Sequence, residues 1–168
     1  MRLDMSVDHA TGPPPVAPQP MTSWAFVRGR GTLVRMESEL LDVVTGDRAI
    51  TDLTADVARF VHGRGDGLVH VFVPHATAGV AIFELGAGSE QDLEEVLGRL
   101  LPKDGRWVHQ HGSAGHGADH VLPAVVSPSI SVPVLDGRPA LGTWQSIALV
   151  DTNGDNPRRQ VRLSFLPG

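Results

Sequence analysis

The chain has no cysteine among its 168 residues. That excludes a disulfide framework, a thiolate zinc site and a cysteine nucleophile. It has no tyrosine and only 5% aromatic residues, so packing anchors are few. No apolar run reaches the ~18 residues of a membrane span, and a membrane partner is not expected. Positive charge is scarce: 14 Lys and Arg stand against 19 Asp and Glu, with a net charge of -5. A nucleic-acid partner is not expected either, because such a binder usually carries a basic face. The N-terminus lacks the basic start and apolar core of a secretory signal, which makes the cytoplasm the expected compartment. There is no internal repeat. No glycine-rich phosphate motif joins a strand to a helix, so nucleotide folds of that kind are unsupported.

What remains is ordinary for a globular chain: 41% hydrophobic and 20% charged residues, with 19 Gly and 13 Pro to make turns. Residues 1–21 include Gly12-Pro13-Pro14-Pro15 and Pro18 and read as a flexible Pro-rich leader. Residues 22–168 read as one domain. Thr32 to Val44 suits a strand, turned by Gly46-Asp47. Thr54 looks like the N-cap of a helix from Ala55 to His62, with Gly63 as its stop. Strands 68–75 and 79–84 read as paired neighbours through a tight turn. Ser89 opens a second helix, with Asp92 completing a capping box and Leu93, Val96, Leu97, Leu100 and Leu101 as its apolar stripe. Pro102 ends it. Residues 105–118 read as loop, and Asp119 to Val126 as a short helix. Strands follow at 129–134, 141–150 and 160–165, with turns at Asp136-Gly137 and Asn153 to Pro157. This order predicts an α+β fold with a mostly antiparallel sheet and two to three helices.

The chain's focus is Pro74-His75-Ala76-Thr77-Ala78-Gly79, at the end of the apolar run 68–73. A strand end delivers His75 rigidly, and Gly79 leaves room for something to approach the backbone. His109-Gln110-His111 and the stretch His116 to His120 are the other two walls of a predicted polar site. His62 sits at a helix end, and His70 alternates outward from a strand; neither position needs a functional explanation. A metal would need three or four nitrogen or oxygen ligands at ~2.0–2.2 Å, here histidine with carboxylate or water. His116 and His120 share a face only if a helix covers both, and Gly115 and Gly117 argue against one. Imidazoles with an arginine nearby would hold a phosphate equally well. Glu84, at a strand end, is either a rim carboxylate or a partner for His75. Trp144 offers a flat surface or a core anchor, and Gln145 a paired donor and acceptor. Arg158, Arg159 and Arg162 follow the last turn, where they either clamp an anion or solvate an edge.

These residues together carry a resemblance. His75-Ala76-Thr77-Ala78-Gly79 with Glu84, His120 ahead of Ser127-Pro128-Ser129, Val132-Pro133-Val134 with Asp136-Gly137-Arg138, Leu141-Gly142-Thr143-Trp144-Gln145 and Pro157-Arg158-Arg159 resemble the YjbQ-like family across about residues 30–166. The resemblance implies a compact α+β unit forming a homotrimer with sheets packed around the threefold axis. It implies a secondary thiamine-phosphate synthase, which joins hydroxymethylpyrimidine diphosphate to thiazole phosphate and releases pyrophosphate. The family's histidines match His75, His109 and His120, lining a pocket for a divalent metal (zinc or magnesium) or an anion. On that reading His75, Glu84 and Gln145 are catalytic, and Thr77, Trp144, Arg158 and Arg159 bind a small phosphorylated substrate. Ala76 and Ala87 stand where the family usually carries polar residues. A non-catalytic trimeric metal- or anion-binding protein is the alternative.

Overall fold

The computed structural model describes residues 35–168; the expected leader at 1–21 and the start of the first expected strand lie outside the described residues. In chain order the elements are β1 (Glu37–Val44), β2 (Ile50–Asp52), α1 (Thr54–Val61), β3 (Gly67–Phe72), β4 (Ala78–Phe83) and α2 (Ser89–Leu100). Then come two single-turn helices, α3 (His116–Asp119) and α4 (Leu122–Val125), followed by β5 (Ser129–Leu135), β6 (Arg138–Pro139), β7 (Ser146–Asp151) and β8 (Arg158–Pro167). The fold is α+β, and every strand pairing is antiparallel. A five-stranded sheet runs β1-β8-β3-β5-β6, and a three-stranded sheet runs β2-β7-β4.

The alternation in the sequence decides which sheet a strand joins. In β3, Val69 and Val71 are buried while Leu68, His70 and Phe72 are exposed, the pattern of a sheet with one covered face. In β7, Ile147, Ala148, Leu149 and Val150 are all fully buried. That continuous run marks a strand covered on both sides. Ile147 and Leu149 join Val69, Val71, Val161, Leu163 and helix α1 in the main core between the sheets. Val150 points the other way, into a second core with Leu97, Leu101, Ala118 and Leu122 of the helical side.

The expected pairing of 68–75 with 79–84 does not occur. β3 lies between β8 and β5, and β4 pairs with β7 in the other sheet. Pro74 has no N–H to extend a ladder. The segment Ser127-Pro128 holds both strand ends instead: Val73 N donates to Pro128 O and Val80 N to Ser127 O, each at 2.8 Å. The space foreseen beside Gly79 is filled by the chain itself. A Cβ on Gly79 would stand 2.2 Å from the Val126 carbonyl oxygen, so the close approach serves packing.

Several local expectations also shift. Leu53 occupies the N-cap position of α1 without a side-chain cap. Thr54 is already helical, and its Oγ1 accepts from Ile147 N, tying α1 to β7. Gly88, left-handed, precedes α2, so Ser89 and Asp92 form no capping box. Of the α2 stripe, Leu97 and Leu101 are buried, whereas Val96 and Leu100 are exposed. Residues 141–145 form a turn rather than strand, closed by Gln145 N on Gly142 O. Among the described residues no helix is long and apolar enough to cross a membrane.

Leu149 is fully buried at the centre of the three-stranded sheet. Leu149→Ala is expected to lower unfolding free energy by about 2–5 kcal/mol through lost transfer energy and a residual cavity. Urea denaturation measures this; a loss well under about 1 kcal/mol would mean that the site collapses or that this sheet is not packed on both faces.

Candidate metal centre

The polar end of the three-stranded sheet is where four of the chain's eight histidines meet. β7 ends at Asp151, and the turn that follows sends its side chains in two directions. Thr152 Oγ1 donates to Asp119 Oδ1 at 2.6 Å. Asn153 Nδ2 donates to Thr77 Oγ1 at 3.4 Å, and its Oδ1 accepts from Asp155 N at 2.9 Å. Asp155 Oδ2 in turn accepts from Ser113 N at 3.3 Å. The turn thereby touches both the β3–β4 connection and the 105–120 segment.

In that segment His109, His111, His116 and His120 converge. Each offers a ring nitrogen, and the four nitrogens lie within 4.8 Å of one another. Ring centroids of His109 and His111 are 4.1 Å apart, those of His109 and His120 4.2 Å, and those of His116 and His120 4.7 Å. The Nε2 atoms of His116 and His120 are 2.9 Å apart. The expectation that Gly115 and Gly117 argue against a helical turn here is overturned. α3 begins at His116, and His120 caps it in helical geometry, placing both rings on one side. Gly117 serves close packing: a Cβ there would meet Trp107 Cβ at 2.5 Å and the His109 carbonyl at 2.7 Å. The glycine lets the strand of chain carrying His109 lie directly on the helical turn carrying His116. The expected helix 119–126 therefore begins earlier and is broken in two, with Pro123 in the first turn of α4 where its missing N–H is harmless.

His116 is buried, and its Nδ1 makes no hydrogen bond. Asp155 Oδ2 stands 3.1 Å from that atom, close enough to pair but out of line for a hydrogen bond. Asp119, almost wholly buried, is held by Lys103 Nζ at 3.0 Å and Thr152 Oγ1. A buried ring with one nitrogen toward three other imidazoles and the other toward carboxylates is the donor arrangement of a histidine metal ligand. Four nitrogens at ~2.1 Å from a shared ion stand ~3.4 Å apart in a tetrahedron, so the widest pair must close by about 1.4 Å (4.8 minus ~3.4). An all-nitrogen set suits zinc, nickel, copper or cobalt; magnesium, which takes oxygen ligands, does not fit. A recess of about 320 Å³ opens beside the cluster, lined by Lys103, Trp107, His109, Gln110, Ser113 and His116 among others.

The other expected site residues are divided. His75 is outside the cluster; it is half-buried, and its Nε2 accepts from Gln160 N at 2.8 Å. Thr77 is buried beside Arg159, whose guanidinium is committed to Asp151, with Nη2 to Oδ1 at 3.2 Å. Arg158 is exposed. Glu84, Trp144 and Gln145 are exposed at the other end of the sheet, where Phe83 pairs with Ser146. The five residues of β4 after Ala78 lie between it and Glu84, six residue steps or ~20 Å of strand. Within one chain, Glu84 is therefore no partner for His75. Trp144 is not a core anchor, being 73% exposed. His111 and His116 are the residues that sequence reasoning left out of the metal set, and Asp155, beside His116, was not singled out at all. The i, i+4 spacing of His116 and His120 was the available signal, and the glycines between and before them obscured it.

An antiparallel α+β domain with imidazoles converging at one end of a buried sheet defines the class of protein. The sequence profile described as UPF0047 protein YjbQ-like matches residues 39–168, and the chain belongs to that family. It is 63% identical over 133 residues to a UPF0047 protein of Mycobacterium tuberculosis, covering 79% of this chain and all of that one. A UPF0047 protein of Archaeoglobus fulgidus is 36% identical over 112 residues, 67% of this chain and 87% of that one. Among solved structures, a hypothetical protein from Aeropyrum pernix superposes with a TM-score of 0.71 at 32% identity, covering 79% of this chain and 99% of that one. A YbjQ-like protein of unknown function from Sulfolobus solfataricus shares the fold, with a TM-score of 0.71 at 24% identity over 80% of this chain and all of that one.

Two of the four imidazoles, His109 and His120, are biased toward the neutral form that binds metal. Loss of surrounding water, then the neighbouring rings, hold His109 and His120 below the ordinary imidazole range; Asp119 opposes this at His120. Burial, then the Arg159 guanidinium, lower His75 against the pull of Asp151. A lowered histidine pKa in the folded state means that the unfolded chain binds protons first on acidification. Stability is then full above the unfolded value near 6.5 and is lost as pH falls from there toward the folded-state values. Metal-free protein is expected to melt at a lower temperature at about pH 5.5 than at about pH 7.5, with His120→Gln flattening the difference. An unchanged or higher melting temperature at the acid value would contradict the bias.

Proposed function

We propose that this chain is a metal-dependent enzyme of the secondary thiamine-phosphate synthase type, with His109, His111, His116 and His120 as metal ligands. The observation that carries the metal part is the convergence of four imidazole nitrogens within 4.8 Å. The resemblance to the family supplies the reaction. The bond between the pyrimidine methylene carbon and the diphosphate oxygen breaks, its electron pair leaving with pyrophosphate, and the thiazole nitrogen bonds to that carbon. A bound divalent metal would offset charge gathering on the departing phosphate oxygens. Exposed Arg158 would anchor a distal phosphate, and the recess beside Trp107 and His109 would admit the substrate. Arg159 and Thr77 would keep the β3–β4 connection and His75 in place behind it. We assign the protein to the cytoplasm, the default for a cysteine-free chain with no membrane-length helix among its described residues.

A second reading, a metal- or anion-binding protein without turnover, draws on the separation of Glu84, Trp144 and Gln145 from the histidines within one chain. Metal analysis and a pyrophosphate-release assay distinguish the two. The enzyme reading expects about one zinc, cobalt or nickel per chain, its loss in His116→Ala with His120→Ala, and metal-dependent pyrophosphate release from the pyrimidine diphosphate when thiazole phosphate is present. Stoichiometric metal with no release favours the binding protein. Absence of both metal and release refutes the enzyme and leaves only the anion-binding form of the second reading, which phosphate titration then decides.

We also propose self-association, as a trimer, through the open face of the five-stranded sheet. Leu40, Leu68, Phe72 and Leu166 are each more than a third exposed there, and Leu68 lies directly beside Leu166 in register. Such an apolar face on a single chain calls for a cover. Light scattering is expected to give three times the chain mass, and Leu68→Glu to reduce it; a wild-type monomer would reject the interface.

A further inference from the structure

We propose that Asp155 is a positioning residue: it fixes the His116 ring with its proton on Nδ1, so that the Nε2 lone pair faces the other imidazoles. The proposal rests on the metal reading above. His116 Nδ1 faces two carboxylates, Asp155 Oδ2 at 3.1 Å and Asp119 Oδ2 at 3.9 Å. A carboxylate can only accept, so the proton belongs on the nitrogen it faces. Nε2, on the far edge of the ring, is 2.9 Å from His120 Nε2 and points into the cluster. The two carboxylates are not equivalent. Asp119 is already engaged by the Lys103 ammonium and the Thr152 hydroxyl, and it is the more distant. Asp155 is the nearer and the more exposed of the two: its Oδ2 accepts the Ser113 amide at 3.3 Å, the Ser113 hydroxyl and the Lys103 ammonium also favour its ionised form, and its own N–H is tied to Asn153 Oδ1. That Oδ2 stands 3.1 Å from Nδ1 but out of line for a hydrogen bond, so it acts on the ring through its charge, which favours the proton on the nearer nitrogen. Its placement is set from outside the cluster, by the turn after β7, so the ring is oriented by a part of the chain that holds no ligand. Ligand histidines are ordinarily fixed by an acceptor on the second nitrogen, and loss of that acceptor costs metal affinity.

The test uses Asp155→Ala and Asp155→Asn in the full chain, with circular dichroism confirming the fold; Asp155 lies on an exposed turn, so both should fold. Nitrogen-15 NMR of metal-free protein reads the His116 tautomer, and competition titration reads zinc and cobalt affinity. The expected result is an Nδ1–H tautomer in the wild type that loses its dominance in Asp155→Ala, together with an affinity loss of about 10- to 100-fold. Asp155→Asn should fall between, because its amide oxygen keeps only a partial negative charge. An unchanged tautomer overturns the proposal. So does an altered tautomer with metal affinity within about twofold of wild type, since the ring would then need no orienting. If the wild type takes up no metal, the metal reading falls on its own, and the tautomer measurement still decides whether Asp155 sets the ring.

Discussion

A strand buried on both faces has nowhere to keep polar chemistry except at its ends. That constraint organises this molecule. Ile147 to Val150 commit both faces of β7 to apolar contact, one toward the five-stranded sheet and one toward the helices. Burying an unpaired polar group along such a strand would cost several kcal/mol, on the order of its full desolvation. Polar residues therefore collect where the strands stop. At one end are Asp151, Asn153 and Asp155, with Thr77, Arg159 and the four histidines around them. At the other are Glu84, Trp144 and Gln145.

The first end is held by charge as well as by packing. Asp151 and Arg159 are both almost completely buried and pair with each other. Such a pair contributes little net stability over a hydrophobic substitute, but removal of either partner strands a charge, at a cost of about 3–5 kcal/mol. Its effect is to fix direction. With Asp151 locked to β8, the turn must leave the sheet along one path, and that path carries Thr152 to Asp119 and Asp155 to His116. The histidines come from a loop and one helical turn with little hydrophobic anchoring of their own. Trp107, pressed against Gly117, and the Asp119–Lys103 pair connect them to the helical core.

Much of this was legible from residue order, for physical reasons that differ by element. The alternation of Leu68 to Phe72, the unbroken apolar run of β7 and the Asp136-Gly137 turn each follow from local chemistry, and each stands in the structure. Pairing did not follow. The short link between β3 and β4 looks like a hairpin, yet Pro74 and the burial of Ala78 to Val80 send the chain into another sheet. Gly79 and Gly117 misled in the same way. Each glycine read locally as space or as a helix breaker, whereas each admits a backbone contact with a distant residue, Val126 and His109 respectively. His75 was grouped with the other histidines by residue type, but its ring is occupied by the β8 backbone. Residue type carries chemistry; only tertiary contact says which imidazoles face each other.

The turn between β7 and β8 also acts as a ruler. Its near edge is nailed by the Asp151–Arg159 pair, and four residues later Asp155 must reach Ser113 and His116. Inserting a single residue between them would displace the carboxylate by ~3.5 Å, roughly its whole present distance from the ring, without disturbing either sheet. Deletion would do the reverse. The segment is therefore constrained in length as well as in composition: even with Thr152, Asn153 and Asp155 all kept, a change in the count would pull the carboxylate away from the ring.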